Sequence, residues 1–317
     1  MKRVIIDTDP GIDDAAAIFL ALASPELSIE AVTTVYGNGS IDQCTRNALI
    51  ILETAGRSDI PVYQGVGRPL LREPHLAHYV HGSDALGGVG LPNPHSQPQS
   101  NRAAIELVKQ IMASPGEITL LALGPLTNVA LALSLEPKIV EAVAELVVMG
   151  GAVLTHGNAS EVATANFYND PEAAAIVYQS GAPVVQAGLD VCLKTHLKKS
   201  QLTRIEQADT PAAKLLAKIT PQIAGFYANT GLLAPDKVVG YNDVPAVAYA
   251  INPQLFDSRD YFVRISTHDE LTLGQTVADV TNMRRRPANA KILMDVNADQ
   301  VTELFTNRVI SYEPPPA

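Results

Sequence analysis

Short apolar runs alternate with amphipathic stretches through the first two thirds of the chain. The runs at residues 3–7, 29–35, 60–63, 118–123, 146–149 and 184–187 are continuous rather than alternating. That pattern predicts strands covered on both faces. Helical periodicity between them predicts helices near 14–23 and 41–54. Longer helices are expected over 199–207, 211–229 and 244–251. Strand–helix alternation of this kind predicts an α/β fold: a mainly parallel sheet flanked by helices, as a Rossmann-like open sheet. One connection is too long for an ordinary turn. Residues 66–101 are rich in proline and carry four histidines and Gly82, Gly87, Gly88 and Gly90. A loop of that length in a compact protein predicts a lid. The whole chain, 1–317, reads as one domain.

Ligands of open α/β sheets bind beyond the carboxyl ends of the strands. Every such end here is polar or glycine-bearing: DTDPGIDD after the first strand, then Tyr36-Gly37-Asn38, GPLTN, Gly150-Gly151 and Gly188-Leu189-Asp190. The first is the most informative, because Asp7, Asp9, Asp13 and Asp14 fall within eight residues. Asp7 and Asp9 share a face if the strand reaches that far. A helix N-terminus accounts for one or two of the others. Two carboxylates ~5 Å apart repel by about 3 kcal/mol at an effective dielectric of 20, a cost that a bound cation removes. Carboxylate oxygens suit Ca²⁺ or Mg²⁺.

Charge narrows the partners. Twenty-three basic and 33 acidic residues leave a net charge of −10, which repels nucleic acid at long range. The N-terminus has no signal-peptide core and no apolar stretch is long enough to span a bilayer, so a cytoplasmic protein with no membrane partner is expected. Cys44 and Cys192 are too few for a disulfide framework, and Cys44 reads as core. Dinucleotide, Walker A, zinc and nucleophile-elbow motifs are all missing. Of 317 residues, 47% are hydrophobic, a globular composition.

The segment VIIDTDPGIDDA, residues 4–15, strongly resembles the opening of the nucleoside hydrolases, the inosine-uridine-preferring N-ribohydrolases. Further blocks follow in family order: TTVYGN at 33–38, Thr45-Arg46-Asn47-Ala48, His81-Gly82, GPLTN at 124–128, VMGG at 148–151 and Gly157-Asn158-Ala159. Then come Asn166 with DPEA at 170–173, Gly188-Leu189-Asp190, Asp243 with AVAY at 246–249, and LTLGQTVAD at 271–279. The resemblance implies a Ca²⁺-dependent enzyme that hydrolyses the N-glycosidic bond of ribonucleosides to ribose and free base, and a homo-oligomer, dimer or tetramer. By this resemblance Asp9 is the metal-ligating general base that activates the attacking water. Asp14, the Thr127 carbonyl and Asp243 are its fellow calcium ligands. Asp13, Asn38, Asn158 and Asn166 contact ribose, Met149 lies against the sugar, and His81 is the lid histidine near the base. Inversion at the anomeric carbon and discrimination against 2′-deoxynucleosides are expected.

Each residue type also has a plainer explanation. Asp243 and Thr127 suit helix starts, Asn38 suits a turn, His81 a solvated loop and Met149 the core. Asp170-Pro171-Glu172 reads as structural: a cap, the first helical position and a dipole partner. Two positions depart from many relatives. Asn242 stands where a histidine precedes the calcium aspartate, and an amide cannot titrate. Leaving-group activation then falls to His81, Tyr227 or Tyr241. Thr164 stands where a glutamate contacts the 5′-hydroxyl. These departures leave open a modified nucleoside or other N-riboside as substrate, or a nucleoside-binding protein without turnover. A haloacid-dehalogenase phosphatase fits poorly, because Gly11 stands where that chemistry needs Thr or Val.

Overall fold

The computed structural model describes residues 1–231 and 233–315. Its central sheet has eight strands: β1 (Lys2–Thr8), β2 (Leu27–Thr34), β3 (Val62–Gln64), β4 (Ile118–Ala122), β5 (Glu145–Met149), β6 (Val184–Ala187), β7 (Phe256–Tyr261) and β8 (Ala290–Val296). Their spatial order is β3-β2-β1-β4-β5-β6-β8-β7. All neighbours are parallel except β7 and β8. The expected α/β architecture is therefore present.

The continuous apolar runs have a direct cause. Val4 and Ile6 of β1 pack with Leu121 and Val147 in one core. Ile5, between them in sequence, packs with Leu120 and Val148 in a second core on the other face. Successive side chains of a strand point to opposite faces, so a strand covered on both must be apolar throughout. β7 escaped sequence reading because it sits at the sheet edge. Four of its six residues, Asp257 to Asp260, are exposed, so no apolar run marks it. β8, its neighbour, alternates only weakly.

The six predicted strands are all present, with small shifts of their ends; the run at 60–63 becomes Val62–Gln64. Helix Ile41–Thr54 begins at Ser40, whose hydroxyl accepts from Gln43 N while Gln43 Oε1 accepts from Ser40 N. That reciprocal pair satisfies two donors the helix start would leave free. Asp170 accepts from Ala173 N at 3.0 Å and Pro171 opens the helix Pro171–Gln179, as expected. Glu172 does more than favour the dipole: it pairs with Arg72 at 2.7 Å. Cys44 and Cys192 are both buried and free. Among the described residues no helix is long and apolar enough to cross a membrane.

Residues 66–101 are irregular apart from the short helix His78–His81. They are nonetheless pinned to the body. Leu70 N donates to Asp170 Oδ2, His75 N to Asn169 Oδ1, and Asn47 Nδ2 to Asp84 O. This excursion carries His81 over the carboxyl end of β1.

Candidate active site

The chain runs outward from β1 to β2 and β3, then returns to place β4 on the other side of β1. The crevice between β1 and β4 is the topological switch point, where an open α/β sheet has room for a ligand. Asp9, one residue past β1, occupies it. Its Oδ2 accepts from Asn38 N at 2.8 Å. A Cβ at Gly37 would collide with Oδ2, and one at Gly124 would lie 2.7 Å from Oδ1. Glycine at both places lets two backbones close on one carboxylate.

Helix α1 (Ile12–Leu22) starts at Gly11 and delivers two more carboxylates. Asp14 Oδ2 accepts from Gly11 N at 2.9 Å and from Asn38 Nδ2 at 2.8 Å. Its Oδ1 accepts from the Thr8 hydroxyl. Asp243 occupies the cap position of helix Val244–Ile251, yet its side chain makes no capping bond. The plain reading of Asp243 as a helix cap therefore fails, and its carboxylate turns inward. Oxygens of Asp13, Asp14 and Asp243 lie within 4.8 Å of one another, all buried. Asp13 Oδ1 has no hydrogen-bond partner.

Crowding buried carboxylates raises their proton affinity. Burial, then the Asp14 charge, holds Asp9 well above the ordinary range. Burial, then Asp13, Asp14 and Asp9, does the same to Asp243. Burial with the Asp13 charge lifts Asp14 to about 6. Three hard oxygen donors around one point, one of them orphaned, could hold a divalent cation that takes oxygen ligands.

Asp7 does not join this group. β1 ends at Thr8, so Asp7 still faces the sheet interior. Its Oδ1 accepts from Thr33 Oγ1 at 2.5 Å and Asn128 Nδ2 at 2.8 Å. Thr127 opens the helix Thr127–Leu135 and its hydroxyl donates to Asp170 Oδ2 at 2.7 Å, so it does not cap with its side chain.

A cleft of about 780 Å³, mouth included, opens above the carboxylates. Asp9, Asp13, Asn38, His81, Met149, Asn158, Thr164, Asn166, Tyr227, Asn242 and Asp243 all line it; Asp14 lies behind its wall. Asn166 Nδ2 donates to Leu123 O and Met149 O, which fixes the floor. Asn158 Oδ1 accepts from Ala165 N. Thr164 Oγ1 accepts from Gly151 N at 2.9 Å, which ties its oxygen to the wall and leaves its O–H donor free.

His81 is buried rather than solvated. Its Nδ1 accepts from Ile12 N at 3.2 Å, which leaves Nε2 to carry the ring proton. Burial holds its pKa down at about 4, so the ring is neutral near pH 7. Tyr241 is excluded from the leaving-group end. Its hydroxyl bonds Thr220 Oγ1 at 2.6 Å and its ring packs on Phe305, away from the cleft. Sequence reading missed Tyr79, His156, Ile223 and Phe226, which also line the cleft. Ile223, Phe226 and Tyr227 stand at i, i+3 and i+4 on the helix Pro211–Thr230, a spacing that marks one face.

The comparisons agree with this geometry. The chain matches the profile of the inosine-uridine preferring nucleoside hydrolases over residues 4–303. It is 38% identical to the pyrimidine-specific ribonucleoside hydrolase RihA of Shewanella oneidensis over 316 residues, 98% of this chain and 97% of that one. It is 37% identical to RihA of Citrobacter koseri over 314 residues, 98% of each chain. Among solved structures it superposes on the plant nucleoside hydrolase PpNRh1 with a TM-score of 0.92 at 34% identity, covering 98% and 99% of the two chains. The purine-preferring ribonucleoside hydrolase of Gardnerella vaginalis gives 0.91 at 30% identity, again over 98% and 99%. With an α/β sheet, a carboxylate-floored cleft at its switch point and these likenesses over nearly its whole length, the chain belongs to the inosine-uridine preferring nucleoside hydrolase family and is an N-glycosyl hydrolase of ribonucleosides.

Proposed function

We propose that the enzyme hydrolyses free ribonucleosides by water attack at the anomeric carbon, with Asp9 as general base and a divalent cation, Ca²⁺, as cofactor. The observation that carries this reading is the clamped Asp9 carboxylate on the cleft floor, beside the buried Asp13–Asp14–Asp243 group. Asp14 and Asp243 would hold the cation, with Asp9 and the Thr127 carbonyl as its other protein ligands. Such a cation would neutralise the carboxylates and supply Lewis-acid polarisation of the attacking water.

The chain's own residues divide the remaining work. Asp9 takes the proton of the attacking water. Asp13, Asn38, Asn158 and Asn166 hold the ribose, with Met149 against its face. As positive charge grows on the ring, the floor carboxylates stabilise it. Neutral His81 donates a hydrogen bond from Nε2 toward the base. Attack and departure on opposite faces give inversion.

The test is ribose release from a panel of purine and pyrimidine ribonucleosides, with chelator and after Ca²⁺ is restored. Calcium-dependent release, with 2′-deoxynucleosides cleaved at least about tenfold more slowly, is the expected result. Release that ignores the chelator would remove the cation from the reading. A second reading, a substrate altered at the 5′ position, is favoured by Thr164, a short uncharged side chain whose oxygen already accepts from Gly151 N. It predicts that a 5′-deoxyribonucleoside is cleaved as fast as its parent.

A further inference from the structure

The lid does not owe its position to burial alone. Leu71, Glu73, His75 and Tyr79 on it are all exposed. Hydrogen bonds from the body hold it as well. Asn169, only 3% exposed, closes on both backbone groups of His75. Its Oδ1 accepts from His75 N at 2.7 Å, and its Nδ2 donates to His75 O at 3.0 Å. Both ends of one buried amide are thus engaged with a single residue of an exposed segment. A donor and an acceptor on the same backbone also settle which end of the amide is oxygen. Tyr168 adds a ring contact, edge-on to His75 with centroids 5.7 Å apart.

Further along, the same stretch is anchored again. Ala77 N donates to Gly37 O at 3.1 Å, His78 Nε2 bonds Gln43 Oε1 at 3.0 Å, and His81 Nδ1 accepts from Ile12 N. The first foot stands on the short helix Ala165–Asn169, which follows β5 in the chain. The second stands on segments that follow β1 and β2. The sheet order puts β5 on one side of the β1–β4 crevice and β2 on the other. Residues 75–81 are therefore a strap with a foot on either side. Ala77, Tyr79, Val80 and His81 are its cleft-lining part. One helical turn joins the first foot to the floor: Asn166, three residues before Asn169, donates to Leu123 O and Met149 O.

We propose that Asn169 is a positioning residue: by closing on His75 it fastens one foot of the strap, and so sets Tyr79 and His81 against the base of a bound nucleoside. This rests on the nucleosidase reading above. With that foot released, His81 keeps its bond to Ile12 N, but the strap gains freedom at its other end. The floor beneath the ribose keeps its own bonds through Asn166. Asn169 therefore acts on the base end of the substrate and not on the sugar.

The experiment separates the two ends of the substrate in the full-length protein. Asn169→Ala is expected to lower kcat/KM on a ribonucleoside about tenfold, while inhibition by free ribose, which reaches only the floor, changes less than about twofold. Hydrogen exchange supplies a readout independent of turnover. The amides of Val80, His81 and Gly82, which bond within the strap and its end, are expected to exchange about tenfold faster in the variant, with β1 and β4 unchanged. Asn169→Leu removes both bonds while filling the space, and serves if Asn169→Ala folds poorly. Equal weakening toward nucleoside and ribose would place the role of Asn169 in the floor and overturn the proposal. Strap amides that exchange as in the wild type, or an unchanged kcat/KM, would overturn it too. Wild-type protein that releases ribose from no nucleoside would overturn the nucleosidase reading, and the strap's role at the base with it, even where exchange still followed the clamp.

Discussion

Asp9 is the residue at which activity and stability are set against each other. Its carboxylate is buried beside Asp14, and that burial and charge hold its proton affinity up. Asp9→Asn keeps the shape and removes one like charge. Ribose release is expected to fall by about 10²- to 10⁴-fold. The melting temperature of the chelated protein is expected to rise, because a repulsion has gone; a fall would mean that the carboxylate is structural. Asn128 gives the opposite case. It donates to Asp7 Oδ1 and Thr34 O and accepts from Val66 N. Asn128→Ala leaves those groups short of partners and is expected to cost about 2–4 kcal/mol, read from the denaturant midpoint. The acidic run 7–14 was plain in the sequence, and so was its chemistry. What residue type and spacing alone could not separate was Asp7 from Asp9. The division depends on the strand ending at Thr8 and on partners that are distant in the chain, Thr33 and Asn128.

At the scale of elements, one helix start joins the two halves of the site. The N-terminus of α1 presents Asp13 and Asp14, while Ile12 N holds His81 in place from 69 residues away. Gly11 stands where these meet. A Cβ there would lie 2.7 Å from both Asn38 Nδ2 and His81 Nδ1. Its backbone, at φ −107°, tolerates alanine, so Gly11→Ala acts through that crowding alone. We expect kcat/KM to fall by about tenfold or more, with less than about 1 kcal/mol lost in global stability. Unchanged kcat/KM would show that His81 and Asn38 do not need their present places. The helices and the buried parallel strands were legible because burial on both faces writes continuous apolar runs. The cleft's aromatic wall was legible in principle from the spacing of Ile223, Phe226 and Tyr227. β7 was not, since an edge strand that exposes Asp257 to Asp260 carries the composition of a loop. The packing of the His196 ring on Tyr227 has no local signal at all, as 31 residues separate them.

Over the whole molecule, the buried acids tie folding to pH and, on the proposed function, to a cation. Burial lifts Asp7 to about 6, and burial with Asp13 lifts Asp14 to about 6, against an ordinary value of 3.8. Between those values the folded protein binds more protons than the unfolded chain. Stability of the cation-free protein therefore falls as pH rises from about 4 to 6, and stays low above that window. The effect is on the order of 1–3 kcal/mol per group. Chelated protein is expected to melt at a higher temperature at pH 5.5 than at pH 7.5, unlike a protein stabilised by ordinary surface carboxylates. Ca²⁺ should reverse this order, because it competes with protons for Asp14 and its neighbours and binds only the folded state. Its stabilising effect should therefore be larger at pH 7.5 than at pH 5.5. Scanning calorimetry at both pH values, with chelator and with Ca²⁺, separates the contributions. If Asp7 alone were responsible, the pH trend would persist but Ca²⁺ would leave it untouched. If the cluster holds the ion, the two curves cross, and the charge that destabilises the empty fold is the charge that binds the cation.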